Sequence, residues 1–89
     1  MPMTTLGIDV AKHVFQLHGV DQCGHVVLTK CLSRAKVLPF MAQLPSCLIG
    51  MEASGGAHYW AREFIKLGHT VRLMSPPAVV VLLEQLIFN

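Results

Sequence analysis

Two carboxylates, Asp9 and Glu52, each lie at an apolar stretch of the sequence, in LGIDV and IGME. A charge among apolar residues is costly to bury unless something compensates it. Two carboxylates that lie close together repel, and one of them tends to protonate unless a cation lies between them. Carboxylate oxygens suit Mg²⁺ or Mn²⁺, and such ions support phosphoryl transfer. The pair therefore predicts a catalytic metal site with Asp9 and Glu52 as ligands. In the simpler interpretation, Asp9 pairs with Lys12 in a turn and Glu52 caps a helix.

Three strands are predicted first, over residues 4–10, 13–20 and 25–32, with a turn at DQCG between the second and third. Ser33 is predicted to cap a helix over residues 34–44. Pro39 falls inside that helix, and proline is best tolerated in the first helical turn. We therefore expect this helix to start late or to be distorted.

The second half of the chain predicts a short buried strand, a helix and another strand. Residues 47–51 form an apolar run, and residues 57–67 place apolar side chains at helical spacing. Gly68 stands where a helix end favours a left-handed residue. Residues 71–74 then form the last strand, before two prolines.

The predicted order βββ-α-β-α-β indicates an α/β fold, a mixed sheet with helices packed on it. Right-handed crossovers place the fourth strand beside the first and the fifth beside the fourth. This is the order of the ribonuclease H-like fold. It would bring Asp9 and Glu52 together at the carboxyl ends of neighbouring parallel strands, where open α/β sheets form ligand sites.

Composition limits the function only loosely. The 89 residues suffice for one small domain, and the net charge of +2 permits nucleic acid binding without requiring it. Three cysteines without a C-x-x-C pair argue against a zinc ribbon or a disulfide scaffold. The absence of a signal-like start and of a membrane-length apolar run predicts a cytoplasmic protein with no membrane partner.

Basic residues are the candidates for contacts to a nucleic acid backbone. The predicted contacts are Lys12, Arg62 and Arg72, and scattered surface charge is the alternative for them as for Arg34, Lys36 and Lys66. The SGG sequence after Glu52 is predicted to be a tight turn rather than a phosphate cradle. Trp60 falls on the apolar stripe of its helix and is predicted to lie in the core.

Three segments, GIDVAKHVFQLHGVD, IGMEASGGAHYWAREF and KLGHTVRLMSPP, resemble the N-terminal RuvC-like domain of DEDD-type insertion-sequence transposases. This family includes Piv-like DNA invertases and RNA-guided recombinases. The resemblance covers residues 4–77. It implies a ribonuclease H-type domain that cuts and rejoins DNA with Mg²⁺ or Mn²⁺. Asp9 matches the first acid of the catalytic tetrad and Glu52 the second. The implied partners are DNA, a guide RNA, and a second copy or a full-length transposase.

The chain departs from the family pattern after the last predicted strand. The family's remaining two aspartates follow that strand, whereas this sequence has no aspartate after Asp21 and continues with an apolar stretch. We therefore expect an incomplete transposase domain over residues 1–77 and a divergent apolar tail over residues 78–89. With two of the four acids, and without the family's serine domain, the truncated chain is expected to be inactive alone.

Two other functions remain open at this point. GIDVAK also resembles the first phosphate loop of actin-like ATPases and sugar kinases, although the second glycine-rich loop that those proteins need is absent from the sequence. The chain could also act without catalysis, by pairing with a full-length transposase.

Overall fold

A computed structural model of the protein describes residues 3–10, 13–53 and 55–75. These residues form five strands and two helices in the predicted order. The elements are β1 (Thr5–Val10), β2 (Val14–Val20), β3 (Val26–Ser33), α1 (Arg34–Ala42), β4 (Leu48–Glu52), α2 (Ala57–Lys66) and β5 (Thr70–Met74).

The five strands form one mixed sheet in the order β3-β2-β1-β4-β5. The three N-terminal strands pair antiparallel as a meander, whereas β1–β4 and β4–β5 pair in parallel. The predicted α/β class is confirmed, as is the placement of the fourth strand between the first and the fifth. Strand β1 is thus the centre of the sheet and joins its antiparallel half to its parallel half.

The turn between β2 and β3 is held by the side chain of Asp21. Its carboxylate accepts hydrogen bonds from the backbone N–H groups of Cys23 (2.9 Å) and His25 (3.0 Å). The backbone N–H of Gly24 donates to the Asp21 carbonyl, which closes the predicted turn, and Gly24 has a φ of 83°. Although burial acts to raise the pKa of Asp21, these backbone donors and the nearby His25 lower it below its usual value.

The core lies between one face of the sheet and both helices. Alternate residues of each strand point to this face, and α1 and α2 contact each other as well as the sheet. Burial of this apolar surface is the main driving force for folding. The buried residues that form the cluster are Leu6, Ile8, Phe15, Leu17, Leu32, Val37, Met41, Cys47, Ile49, Met51, Ala57, Trp60 and Phe64. The prediction that Trp60 belongs to the core is confirmed.

Helix α1 differs from its predicted form. It begins at Arg34, the first residue of the predicted range, and continues through Pro39, so of the two expected effects of Pro39 the late start was wrong. It ends at Ala42 instead of residue 44. Proline removes one backbone donor, here that of the bond to the Ala35 carbonyl. Ala35 and Pro39 both lie on the exposed side of the helix, where water can serve that carbonyl. Ser33 occupies the cap position but its side chain makes no capping hydrogen bond.

Helix α2 ends in the left-handed glycine that the sequence predicted. Gly68 has a φ of 98°. Its N–H donates to the Ile65 carbonyl (3.0 Å), and the N–H of His69 donates to the Phe64 carbonyl (3.2 Å). This pair of bonds is the Schellman arrangement, which satisfies carbonyls that have no partner within the helix.

Replacing Gly68 by alanine is expected to lower the free energy of unfolding by about 1–2 kcal/mol, because an L-residue is disfavoured at positive φ. The added methyl group fits, since its nearest neighbour would be the Ser46 hydroxyl at 3.5 Å. The cost is therefore conformational, and urea denaturation measures it. Gly55→Ala is the matched control, because Gly55 lacks a positive φ and has open space around it. A loss in Gly68→Ala no greater than in Gly55→Ala would contradict the prediction.

Lys12 and the predicted apolar tail at 78–89 lie outside the described residues. The three cysteines are described and all are free thiols, with Cys23 and Cys31 exposed and Cys47 buried. Neither described helix has the length and apolar character needed to cross a bilayer.

Candidate functional site

Asp9 and Glu52 lie on adjacent parallel strands near their carboxyl ends. The register of β1 with β4 pairs Gly7 with Gly50 and Ile8 with Met51. Asp9 and Glu52 are the next residue of each strand, and parallel strands lie about 4.8 Å apart. The structure therefore brings the two predicted site residues to one edge of the sheet from positions 43 residues apart in sequence.

Both carboxylates belong to the sheet face opposite the core. Ile8 and Met51, one residue earlier, are fully buried on the core side, and successive side chains of a strand alternate between faces. Asp9 is exposed and Glu52 is half-buried. Asp9 is thus not a buried charge, and its place in an apolar run reflects the alternation of a strand with one buried face.

Among the described residues, no side chain occupies the oxygens of the two carboxylates. Within residues 3–10, 13–53 and 55–75, neither carboxylate makes a side-chain hydrogen bond or an ion pair. Gly7 and Gly50, which pair with each other, occupy the positions two residues earlier on the same face. On this face of the sheet, the positions of β1 and β4 that precede the two carboxylates therefore carry no side chain.

The donor set fits a hard divalent ion that keeps part of its water shell. Magnesium is commonly held by one or two carboxylates together with water and substrate phosphates. In the part of the chain that the structure describes, no group of three or more His, Cys, Asp or Glu side chains gathers around one point. Asp9 and Glu52 are thus the two acidic side chains that the described residues offer such an ion at this edge.

The predicted nucleic acid contacts separate into different places. Arg72 on β5 pairs with Gly50 and so shares the face of Glu52, one step diagonally across the sheet. Arg62 is exposed on α2, whose buried side faces the sheet. The sheet and helix layers therefore separate Arg62 from the carboxylates, and only Arg72 of these two lies on their face.

The turn between β4 and α2 is built on glycine. Gly56 is the residue before α2 and has a φ of 85°, and no side chain caps the helix there. This geometry agrees with the predicted tight turn. Ser54 lies outside the described residues.

The described chain is therefore a mixed α/β domain that presents two carboxylates at the ends of adjacent parallel strands. Over 79 residues it is 57% identical to a "Probable family 20 transposase" of Pseudomonas aeruginosa, an alignment that covers 89% of this chain and 23% of that protein. It is 44% identical over 71 residues to "Putative transposase y4pF/y4sB" of Sinorhizobium fredii, covering 80% of this chain and 18% of the relative. It is 42% identical over 80 residues to the "Transposase for insertion sequence element IS1328" of Yersinia enterocolitica, covering 89% of this chain and 24% of that protein.

The chain is thus similar to insertion-sequence transposases over most of its length, and it spans less than a quarter of the length of these relatives. Each of these relatives is named a transposase, and none is named an ATPase or a kinase. No family model matches the chain. No solved structure matches it either.

Proposed function

We propose that this chain is a piece of a DNA transposase and that its sheet is the ribonuclease H-like core of the catalytic domain. The observation that carries the proposal is the position of Asp9 and Glu52 at the ends of adjacent parallel strands, in a chain 57% identical to a named transposase. The strand order with β1 at the centre supports the fold assignment.

In this proposal Asp9 and Glu52 hold a Mg²⁺ or Mn²⁺ ion. When bound, such an ion supplies activation of an attacking oxygen and stabilisation of a leaving oxygen in phosphoryl transfer. The protein contributes the two carboxylates, which are already aligned by the strand register. Arg72, on the face of Glu52, would contact a phosphate of the DNA backbone and orient the strand across this edge.

Two carboxylates provide fewer ligands than the four-acid set that the family resemblance implies. We therefore propose that the chain binds a divalent ion but does not cut or rejoin DNA alone. In a strand-cleavage or strand-exchange assay with Mg²⁺ or Mn²⁺ we expect no turnover. Activity that Asp9→Asn abolishes would contradict this part of the proposal and show that two acids suffice.

Metal binding is tested by titrating the protein with Mn²⁺ and recording paramagnetic broadening of backbone amide signals by NMR. We expect the amides of Asp9, Val10, Glu52 and Ala53 to broaden first. Asp9→Asn and Glu52→Gln should each weaken binding on the order of tenfold, because each removes one of two charged ligands.

Glu63→Gln is the matched control for this titration. Glu63 is a carboxylate of α2 that pairs with Lys66 at 2.8 Å and lies away from the strand ends. It should leave Mn²⁺ binding unchanged. Broadening centred elsewhere, or insensitive to both site substitutions, would disprove the metal site.

A further inference from the structure

We infer that the groove between β3 and α1 is a second nucleic acid site, which binds a single strand through its phosphates and one base. The residues that line this groove are Lys30, Leu32, Lys36, Pro39, Phe40 and Gln43.

 The volume of this groove, about 370 Å³, is that of a small-molecule site and is large enough for one nucleotide.

The charge around the groove is positive. No acidic residue occurs between Asp21 and Glu52, whereas Lys30, Arg34 and Lys36 all fall in that interval. The guanidinium of Arg34 lies over the ring of Trp60, 5.3 Å from its centroid, and is thus occupied within the fold. Lys30 and Lys36 are both exposed, and neither forms an ion pair with a described carboxylate. They are therefore the two cations available to an anion in the groove.

The floor of the groove suits a flat apolar group. Leu32 is buried beneath it, and Phe40 is half-buried with the ammonium of Lys30 over its ring, 4.9 Å from the centroid. An unpaired base can take the place of that ammonium on the ring, while the exposed Lys30 side chain turns to a phosphate. The bases of a duplex are stacked within the helix, so this combination favours a single strand.

The groove is separate from the edge that carries Asp9 and Glu52. The register pairs Lys30 with Leu17 and Leu17 with Ile8, so Lys30 lies two strands, or about 10 Å, from β1. It also lies on the face that carries the helices, whereas the carboxylates lie on the opposite face. A strand in the groove would not need a metal at the carboxylate site.

The test is fluorescence anisotropy of the 89-residue chain with a labelled 12-nucleotide oligothymidine, in EDTA so that no divalent ion contributes. Lys30→Gln and Lys36→Gln together are expected to weaken binding about tenfold or more. They should also lower the slope of log K against log salt by about 1.4, or about 0.7 for each lost phosphate contact. Phe40→Leu, which keeps an apolar side chain, should weaken binding at least about fivefold through lost stacking.

Three comparisons make the result specific. Lys66→Gln removes an exposed lysine of α2 and should change affinity less than about twofold. Asp9→Asn should leave binding in EDTA unchanged, which separates this site from the proposed metal site. A 12-mer of abasic deoxyribose phosphates should bind more weakly than oligothymidine, because it offers no base to Phe40.

The inference is overturned if oligothymidine does not bind, or if the double lysine variant binds it within twofold of the unmodified chain. It is also overturned if duplex DNA or oligoglutamate binds as tightly as the single strand, since a general cationic surface or an acidic-peptide site would do that. Circular dichroism melting of each variant separates loss of binding from loss of fold.

Discussion

Phe15→Ala is expected to lower the free energy of unfolding by about 3–5 kcal/mol, the cost of removing a large buried aromatic side chain. Phe15 is fully buried on β2, and its ring meets the edge of Trp60 with centroids 4.7 Å apart and an angle of 73°. Trp60 in turn lies 6.1 Å from Phe64. Removing Phe15 leaves a cavity where the meander packs against α2. The loss is large because the total free energy of unfolding of a domain of this size is roughly 4–13 kcal/mol.

The measurement is urea denaturation followed by circular dichroism, because the fluorescence of Trp60 itself responds to the loss of its neighbour. Tyr59→Ala is the matched control. Tyr59 also meets Trp60 edge to face, at 5.2 Å, but it is 47% exposed. We expect it to cost less than about 1 kcal/mol. Similar losses for the two variants would mean that burial at Phe15 does not hold the meander to α2.

The sheet could be predicted because its signals are local and its connections are restricted. Period-two alternation marks β1 and β2, and the short Asp21–Gly24 turn forces β2 and β3 to pair antiparallel. The crossovers through α1 and α2 then leave few positions for β4 and β5. Helix α1 was predicted less well, because whether a helix accommodates Pro39 depends on which side of it faces water.

The placement of Asp9 beside Glu52 followed from strand order, which makes it the part of the site most accessible from sequence. The distribution of the basic residues did not follow in the same way. Arg62 and Arg72 looked equivalent as isolated charges, and only the register of β5 places Arg72 on the carboxylate face. The groove at Lys30 and Lys36 was missed because the two lysines belong to different elements, whose packing the sequence does not specify.

His69 was also missed, since its partners are backbone groups. Its ring accepts a hydrogen bond at Nδ1 from the backbone N–H of Cys47 (3.3 Å), and its Nε2 lies 2.9 Å from the Met41 carbonyl. Because Nδ1 accepts, the proton must be on Nε2, which donates to Met41. The spacing of the histidines in the sequence does not reveal this role, because no side-chain pattern encodes contacts to backbone groups 22 and 28 residues away.

His69→Leu is expected to lower the free energy of unfolding by about 1–3 kcal/mol, because it leaves the buried N–H of Cys47 without a partner. It also removes one of the donors to the Met41 carbonyl, which keeps a hydrogen bond from the backbone N–H of Leu44. His69 is 4% exposed and connects the end of α1, the start of β4 and the start of β5. In His69→Asn, the amide oxygen of the new side chain can accept a hydrogen bond near the position of Nδ1. In His69→Gln, the amide nitrogen can donate one near the position of Nε2. Each of these variants should recover part of the loss, as measured by urea denaturation.

Cys47 provides a local readout of the same contacts. Burial raises the pKa of its thiol, and its Sγ lies 3.6 Å from Nδ1 of His69, whereas Cys23 and Cys31 are exposed. Two thiols should therefore react quickly with a thiol reagent and one slowly, and His69→Leu should accelerate the slow one. His58→Leu, at an exposed position of α2, is the matched control and should change stability by less than about 0.5 kcal/mol. Equal stability of the two leucine variants, or an NMR spectrum showing the proton on Nδ1, would rule out the bridging role of His69.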